Sequence, residues 1–366
     1  MQDAFLYYFL NKNDFKRNKK KKFLTLDKFI DYCLYKFKNS YYQKKINFGR
    51  NGDFVTSPHI SSIFSEMLCV WILLFWNKIK KPKVLNILEL GPGDGTMGRD
   101  ILVSLSKFSF FQSKINYYLL ETSKSLKKVQ KEKLKNQKNI FWVSKLKNFK
   151  KDNLIIISNE FFDALPIKQF EKKDNTWFEK CVFFNKKKGK LDYILKKPKI
   201  NLLTKIKNIY DLKINSFIEF SPMLEKIIKN ISNILKIENS AFVTIDYGEY
   251  SKTCNDTLQA IYKNKKSNVL DNVGDSDITY QVNFFHLIEL FKKNKLHIVD
   301  FATQSEFLQK LGIRERFAQA AKNLNKHRQD SLRNSVARLL HPLHMGGLFK
   351  VLVVTNENNK DLNYDI

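Results

Sequence analysis

The chain has little that would tie it together covalently or hold it in a membrane. Its four cysteines, Cys33, Cys69, Cys181 and Cys254, lie far apart and match no paired spacing for a metal or redox site. Reduced thiols in a cytosol-like compartment are therefore expected. The apolar stretch from Ala4 to Leu10 is short and no small-residue cleavage site follows it. The apolar run from Met67 to Trp76 is too short to span a bilayer, so neither export nor membrane insertion is expected. No G-x-S-x-G nucleophile elbow occurs, and there is no internal repeat or low-complexity block beyond lysine runs. Acidic residues are the scarcer charge, 36 against 65 Lys and Arg, for a formal net charge of +29. That excess could draw nucleic acid or an anionic membrane face. It is spread from Lys12 to Lys360, however, is mostly lysine, and accompanies many Asn, Ile and Phe residues. Such a distribution reads as compositional drift, and no specific nucleic-acid partner is expected.

What the chain does have is core-forming material. Of its 366 residues 43% are hydrophobic, with 31 Phe and 15 Tyr, enough to offset the entropy of ordering one large domain or one domain with appendages. Residues 1 to about 50 read as helical and basic, with Leu24, Phe29, Ile30, Cys33, Leu34 and Phe37 at helical spacing on an amphipathic helix. The charge run Lys16 to Lys22 reads as a solvated flank. From Ile60 to Trp76 apolar positions surround the helix, which should be buried.

An alternation typical of a doubly wound sheet follows: a strand at Val84 to Leu90, a glycine turn, a helix from about Thr96 to Leu105, and a strand at Ile115 to Leu120. Further strands are predicted at Ile140 to Val143, Leu154 to Ser158, Ala241 to Asp246, His297 to Ala302 and Leu348 to Val354, with helices at Leu224 to Leu235 and Asn283 to Lys293. Short alternating segments and a lysine-rich turn containing Gly189 predict an inserted antiparallel hairpin within about 168–200. The expected fold is α/β, with a Rossmann-like sheet over 81–366, an N-terminal helical extension over 1–80, the hairpin after the fourth strand, and a C-terminal strand closing the sheet.

The run Glu89-Leu90-Gly91-Pro92-Gly93-Asp94-Gly95-Thr96 follows a buried strand and opens a helix. In that setting glycines let backbone approach a ligand, and the helix N-terminus offers amides to an anionic group such as the carboxylate of bound methionine. Glu121 ends the next strand, where a carboxylate can accept from the ribose hydroxyls of an adenosine cofactor. Gly93, Gly95 and Gly98 also fit the dinucleotide pattern, so a nicotinamide-dependent oxidoreductase is the rival. Against it stand Glu89, placed to meet a cofactor's amino group, and the long stretch before the first diagnostic strand. S-adenosyl-L-methionine is the favoured cofactor.

The strand Leu154 to Ser158 runs into Asn159-Glu160-Phe161-Phe162-Asp163-Ala164-Leu165-Pro166. Side chains past the carboxyl end of that strand should share a crevice with the glycine turn. A carboxylate there can pair with a guanidinium in a planar fork and steer its proton away. Glu160 is the first candidate and Asp163 the second, with turn bracing as the equal alternative for Asp163. Phe161 and Phe162 read as core. Asp246-Tyr247-Gly248 is either a second polar contributor to the cleft or a strand-ending turn with glycine at positive φ. His341 and His344 lie three apart without a third ligand, so no metal is expected.

With these residues in view, the sequence resembles the MidA-like class I methyltransferases, whose mitochondrial member dimethylates an arginine of a respiratory complex I subunit and supports its assembly. The carriers are Gly52 to Pro58, Glu89 to Thr96, Asn159 to Pro166, Ile245 to Gly248, Asp277 to Thr279, Thr303-Gln304 with Phe307-Leu308, and Met345-Gly346 with Phe349-Lys350. The resemblance implies a protein acceptor and a cofactor site that includes Thr96 and Asn159. It also implies that Gly52, Asp53, Thr56, Ser57 and Pro58 lie near cofactor and acceptor, and that Asp246 and Tyr247 line the same cleft. It implies action in the cytoplasm of a bacterium or in the mitochondrial matrix of eukaryotes. Taken alone, Thr56-Ser57-Pro58 reads as a helix start with Ser57 as N-cap. Several positions depart from the family's pattern. His59 stands where an acidic residue is usual, Ser65 replaces a helix glycine, Asp94 replaces a basic residue, and Gln281 and Asn283 replace a His and an Asp. The last two keep a non-catalytic assembly factor open as an alternative.

Overall fold

The computed structural model describes residues 23–37, 40–44 and 56–356. Gly52, Asp53 and the Lys16 to Lys22 run lie outside the described residues. In chain order, β1 (Phe23–Thr25) leads into α1 (Leu26–Asp31), which continues as a π-type turn over Tyr32–Lys36. After α2 (Ser57–Ile60) and α3 (Ser62–Lys78) come β2 (Val84–Leu90), α4 (Thr96–Leu105), β3 (Lys114–Leu120), α5 (Lys124–Lys133), β4 (Ile140–Val143) and β5 (Leu154–Asn159). An inserted region holds β6 (Lys168–Lys173), β7 (Thr176–Asn185), β8 (Lys190–Lys196), α6 (Ile200–Lys207) and β9 (Phe217–Phe220). Then follow α7 (Leu224–Leu235), β10 (Ser240–Glu249), β11 (Gln259–Tyr262), β12 (Lys265–Ser267), β13 (Asp277–Thr279) and β14 (Val282–Asn283). The last elements are α8 (Phe284–Lys293), β15 (His297–Thr303), α9 (Gln304–Lys310), α10 (Ile313–Ala321), α11 (Lys326–Leu340), α12 (Met345–Leu348) and β16 (Phe349–Thr355).

The central sheet runs β15-β16-β10-β5-β2-β3-β4. From β10 to β4 neighbours are parallel. Apolar strands such as Leu154 to Ile157 suit such a sheet because helices cover both of its faces. One face packs Leu88, Ile156 and Phe242 against α7 and α8; the other packs Ile87, Ile155 and Val243 against α3 and α4. As expected, α3 is deeply buried, with Phe64, Trp71, Ile72 and Phe75 wholly covered, and Ser61 caps it by accepting from the Ile63 amide at 3.3 Å.

Three expectations need correction. The C-terminal strand does not close an edge: β16 is threaded antiparallel between β10 and β15. Val351 to Val354 is apolar at every position and buried throughout, so it needs cover on both faces and both sides, whereas the half-exposed β15 takes the edge. The inserted hairpin is part of a five-stranded antiparallel sheet, β1-β7-β6-β9 with β8 on β7. Leu24 accordingly lies on a strand, paired with Val182. The vacancy it fills exists because β6 covers only Thr176 to Glu179 of the ten-residue β7. Finally, Gly248 does not have positive φ; it lies in β10, where a Cβ would fall 2.1 Å from the Val282 carbonyl oxygen.

The site-forming feature is the change of direction at β2, whose neighbours β3 and β5 leave to opposite sides. Their carboxyl ends open a crevice there.

Candidate functional site

The turn leaving β2 depends on backbone that only glycine adopts freely: Gly91, Gly93 and Gly95 have φ of 64°, 53° and 84°. A Cβ on Gly91 would also lie 2.8 Å from Cδ2 of Phe161, so the turn packs directly on the segment after β5. Gly95 begins α4 as its N-cap. Glu89 is 2% exposed and accepts from the Tyr117 hydroxyl at 2.8 Å. Burial pushes its carboxyl up to about 7. Gly98 is explained by this pair, since a Cβ there would sit 2.9 Å from both Glu89 Oε2 and the Tyr117 ring.

At the end of β3, Glu121 Oε1 accepts from the Thr122 and Ser123 amides at 2.7 and 2.6 Å, and Oε2 accepts from Gln130 Nε2 at 3.1 Å. Burial raises its carboxyl above the ordinary range. A carboxylate offers about four acceptor positions, so Oε2 keeps room for one hydroxyl, fewer than both hydroxyls of a ribose would use.

After β5 the chain turns sharply at Glu160, whose φ is 53°. Its Oε1 accepts from Asn159 Nδ2 at 2.8 Å and from the Ser57 amide at 3.3 Å. Burial pushes Glu160 up to about 7, while those two donors and the more distant His59 and Arg338 pull against it. Asn159 Oδ1 is buried without a hydrogen-bond partner. Asp163 is 9% exposed; burial first, then Asp246, Glu160 and Asp277, raise its carboxyl well above the ordinary range.

Asp246 requires a correction. It is fully buried, and its Oδ2 accepts from the Phe161 and Phe162 amides at 3.1 and 2.8 Å while Oδ1 accepts from Tyr247 N at 2.9 Å. It braces the Glu160 turn from behind rather than facing the crevice; it lies within β10, so neither the cleft reading nor the strand-ending turn describes it.

A cavity of about 850 Å³ fills the crevice. Thr56, Pro58, Glu89, Gly91, Gly93, Thr96, Glu121, Asn159, Glu160 and Asp163 all line it. Ser57, Gly95, Asp246 and Tyr247 do not. Sequence reasoning missed Tyr35, Tyr41 and Tyr42, the Ser144 to Lys147 loop, and Met223 to Asn230 on α7. The loop leaves the carboxyl end of β4 and was findable by the same rule as the glycine turn; the tyrosines come from a remote segment with no motif. Among the described residues the lining holds seven carboxyl groups, Asp31, Glu89, Asp94, Glu121, Glu160, Asp163 and Asp277, against three lysines, Lys145, Lys147 and Lys226.

Ser65 is buried within α3; the other departures from the family's pattern fall into two places. His59 and Asp94, opposite in sense, touch each other: His59 Nε2 lies 3.1 Å from Asp94 Oδ2. Lys133 Nζ bonds the same oxygen, and the Thr96 amide donates to Oδ1 at 3.0 Å. Although burial opposes it, these partners hold Asp94 well below the usual carboxylate range. Gln281 and Asn283 lie off the cavity wall. Gln281 donates to the Tyr247 hydroxyl at 2.8 Å, and Asn283 caps α8 by accepting from His286 N at 3.0 Å. On α2 the N-cap is Thr56, not Ser57; the Ser57 hydroxyl instead donates to Gln304 at 3.2 Å.

Residues 67–302 match the family described as "Putative S-adenosyl-L-methionine-dependent methyltransferase". Among curated proteins, "Protein arginine methyltransferase NDUFAF7 homolog, mitochondrial" of Caenorhabditis elegans is 30% identical over 291 residues, covering 74% of this chain and 67% of that one. Its Drosophila melanogaster counterpart is 26% identical over 345 residues, 86% and 77% of the two chains. The Homo sapiens protein of that name is 27% identical over 354 residues, 89% and 78%. A solved Burkholderia thailandensis protein bound to S-adenosyl-homocysteine superposes with a TM-score of 0.81 at 20% identity, covering 97% of this chain and 92% of that one. The likeness shows a common fold.

Proposed function

The chain belongs to this family of S-adenosyl-L-methionine-dependent methyltransferases, and from that premise we propose that its cavity serves methyl transfer to a guanidinium nitrogen of a protein arginine held by Glu160. The carrying observation is the acceptor-rich wall. In a chain of net charge +29, seven carboxyl groups and three lysines line the cavity among the described residues, and carboxyl oxygens suit the N–H donors of a guanidinium.

The residues present fit the cofactor. The cavity is open rather than plugged, its glycine turn presents backbone at the mouth of α4, and the buried Asn159 Oδ1 is an acceptor still in need of a donor. Glu89, Gly91, Gly93, Thr96, Glu121 and Asn159 would hold it, with Thr56 and Pro58 near the methyl end. When bound, S-adenosyl-L-methionine supplies the electrophilic sulfonium methyl.

Glu160 pairs with the acceptor guanidinium, orients one nitrogen, and takes up the proton released on transfer. A carboxyl held near 7 is suited to accept that proton at neutral pH. Asp163 adds a second carboxylate to the same wall, and Asp246 fixes the turn that carries Glu160. In this reading residues 81–366 form the methyltransferase domain and 1–80 its extension. The acceptor is a protein such as a subunit of respiratory complex I, and the chain assists that complex's assembly in the mitochondrial matrix or, in a bacterium, the cytoplasm.

Calorimetry with S-adenosyl-homocysteine on the wild type and on Gly93→Val, followed by labelled S-adenosyl-L-methionine with respiratory-complex subunits, tests the reading. Expected are binding lost in the variant and label on an arginine. Equal affinity in both proteins would remove the site assignment, and cofactor binding without label on any protein would remove the arginine acceptor.

A further inference from the structure

Asp94 carries more partners than any other carboxylate of the glycine turn needs for a turn alone. Lys133 from α5 reaches its Oδ2 and, at 2.6 Å, the Thr96 hydroxyl on α4; the Thr96 amide holds Oδ1. These contacts fix Asp94 to elements packed on the central sheet. Its remaining partner, His59, comes from α2, and the other imidazole nitrogen pairs with Thr56 Oγ1 at 2.7 Å.

A helix of four residues cannot hold its own shape in water, so α2 keeps its place through what grips it. The side facing the glycine turn is gripped by Asp94. The side facing the acceptor turn is gripped by Glu160, through the Ser57 amide at 3.3 Å. The Ser57 hydroxyl is tied to Gln304 behind.

We propose that His59 is a positioning residue: bound to Asp94, it clamps α2 across the cavity, so that one hydrogen-bonded path joins the cofactor turn to the acceptor carboxylate. The proposal rests on the methyl-transfer reading for its use, though the clamp itself can be measured without ligand. His59 faces Asp94 and, beyond it, Lys133 on α5, with Glu160 across α2. Glu160 in turn faces Asp163, Asp246 and Arg338 of α11.

The experiment is hydrogen exchange on the full chain, following the Thr56–Ser61 amides in the wild type, His59→Ala and His59→Gln, without ligand. His59→Ala should exchange there at least about tenfold faster, the size of one hydrogen bond to a charged group, with the melting temperature lowered by only about 2 °C. His59→Gln retains a donor of similar reach and should exchange near the wild-type rate. Unaltered exchange in His59→Ala overturns the clamp, and loosening that His59→Gln does not repair overturns the pairing with Asp94. A wild type that fails to bind S-adenosyl-homocysteine sinks the methyl-transfer reading alone, since the exchange result stands without it.

Discussion

Acidifying the protein through neutrality should disarm it before it harms the fold. Burial takes Glu160 from an ordinary carboxyl value of 4.5 to about 7. At one pH unit below that value, about one molecule in ten carries the carboxylate. The rate at limiting acceptor should therefore fall about tenfold per unit below pH 7 and level off above it. Glu160→Gln keeps an oxygen for the Ser57 amide but can neither pair with a guanidinium nor accept its proton. Its expected loss is about 10²- to 10⁴-fold, with a residual rate that no longer varies with pH over this range. Stability should move the other way. A carboxyl whose folded value is raised favours the folded state when protonated; that contribution is complete below 4.5 and is lost as pH rises through about 7. Activity should thus climb between pH 6 and 8 while the contribution of Glu160 to stability declines. Label transfer from S-adenosyl-L-methionine, measured across that range beside thermal melts, tests both signs. A wild-type rate flat from pH 6 to 8, together with an active Glu160→Gln, would refute the reasoning.

Glu89 shares the raised value and its cause, so Glu89→Gln should stabilise the ligand-free protein at pH 8 by roughly 1–3 kcal/mol and have little effect at pH 5; denaturant melts at the two pH values check this. Gly91→Ala meets both a φ of 64° and the Phe161 ring, and should cost about 1–2 kcal/mol and weaken S-adenosyl-homocysteine binding by calorimetry. Asp246→Asn turns a donor toward backbone amides that need an acceptor, which should cost about 1–3 kcal/mol and lower activity by displacing Glu160. An unchanged melting temperature with activity abolished would mean instead that Asp246 takes part in the chemistry.

Periodicity made the central sheet legible because its strands are apolar at successive positions and its turn carries three glycines. The expected strand from Ala241 to Asp246 lies inside β10 (Ser240–Glu249), and the expected helix over Leu224 to Leu235 coincides with α7. What periodicity does not encode is pairing. Phe23 to Thr25 continues a helical pattern in sequence, yet an open stretch of β7 draws it into a strand. Val351 to Val354 reads only as a strand, and its place inside the sheet follows from a burial requirement that no local pattern expresses. The cofactor half of the site was readable since glycines and a strand-end carboxylate have fixed offsets. Tyr35 and Tyr42, which also line the cavity, were not, because they come from a segment remote from the glycine turn and no motif marks them.

The same distinction between local identity and spatial partner decides between an enzyme and a fold retained only for assembly. The substitutions at Gln281 and Asn283 looked like lost titratable groups, and that loss was the motive for a non-catalytic reading. In space neither faces the cavity. Asn283 performs a cap that Asp would perform equally well, and Gln281 spends its amide on Tyr247. The departures that do reach the cavity, His59 and Asp94, are hydrogen-bonded to one another. The pair sits across one contact, in the wall that also holds Glu160 bonded to Ser57 and Asn159.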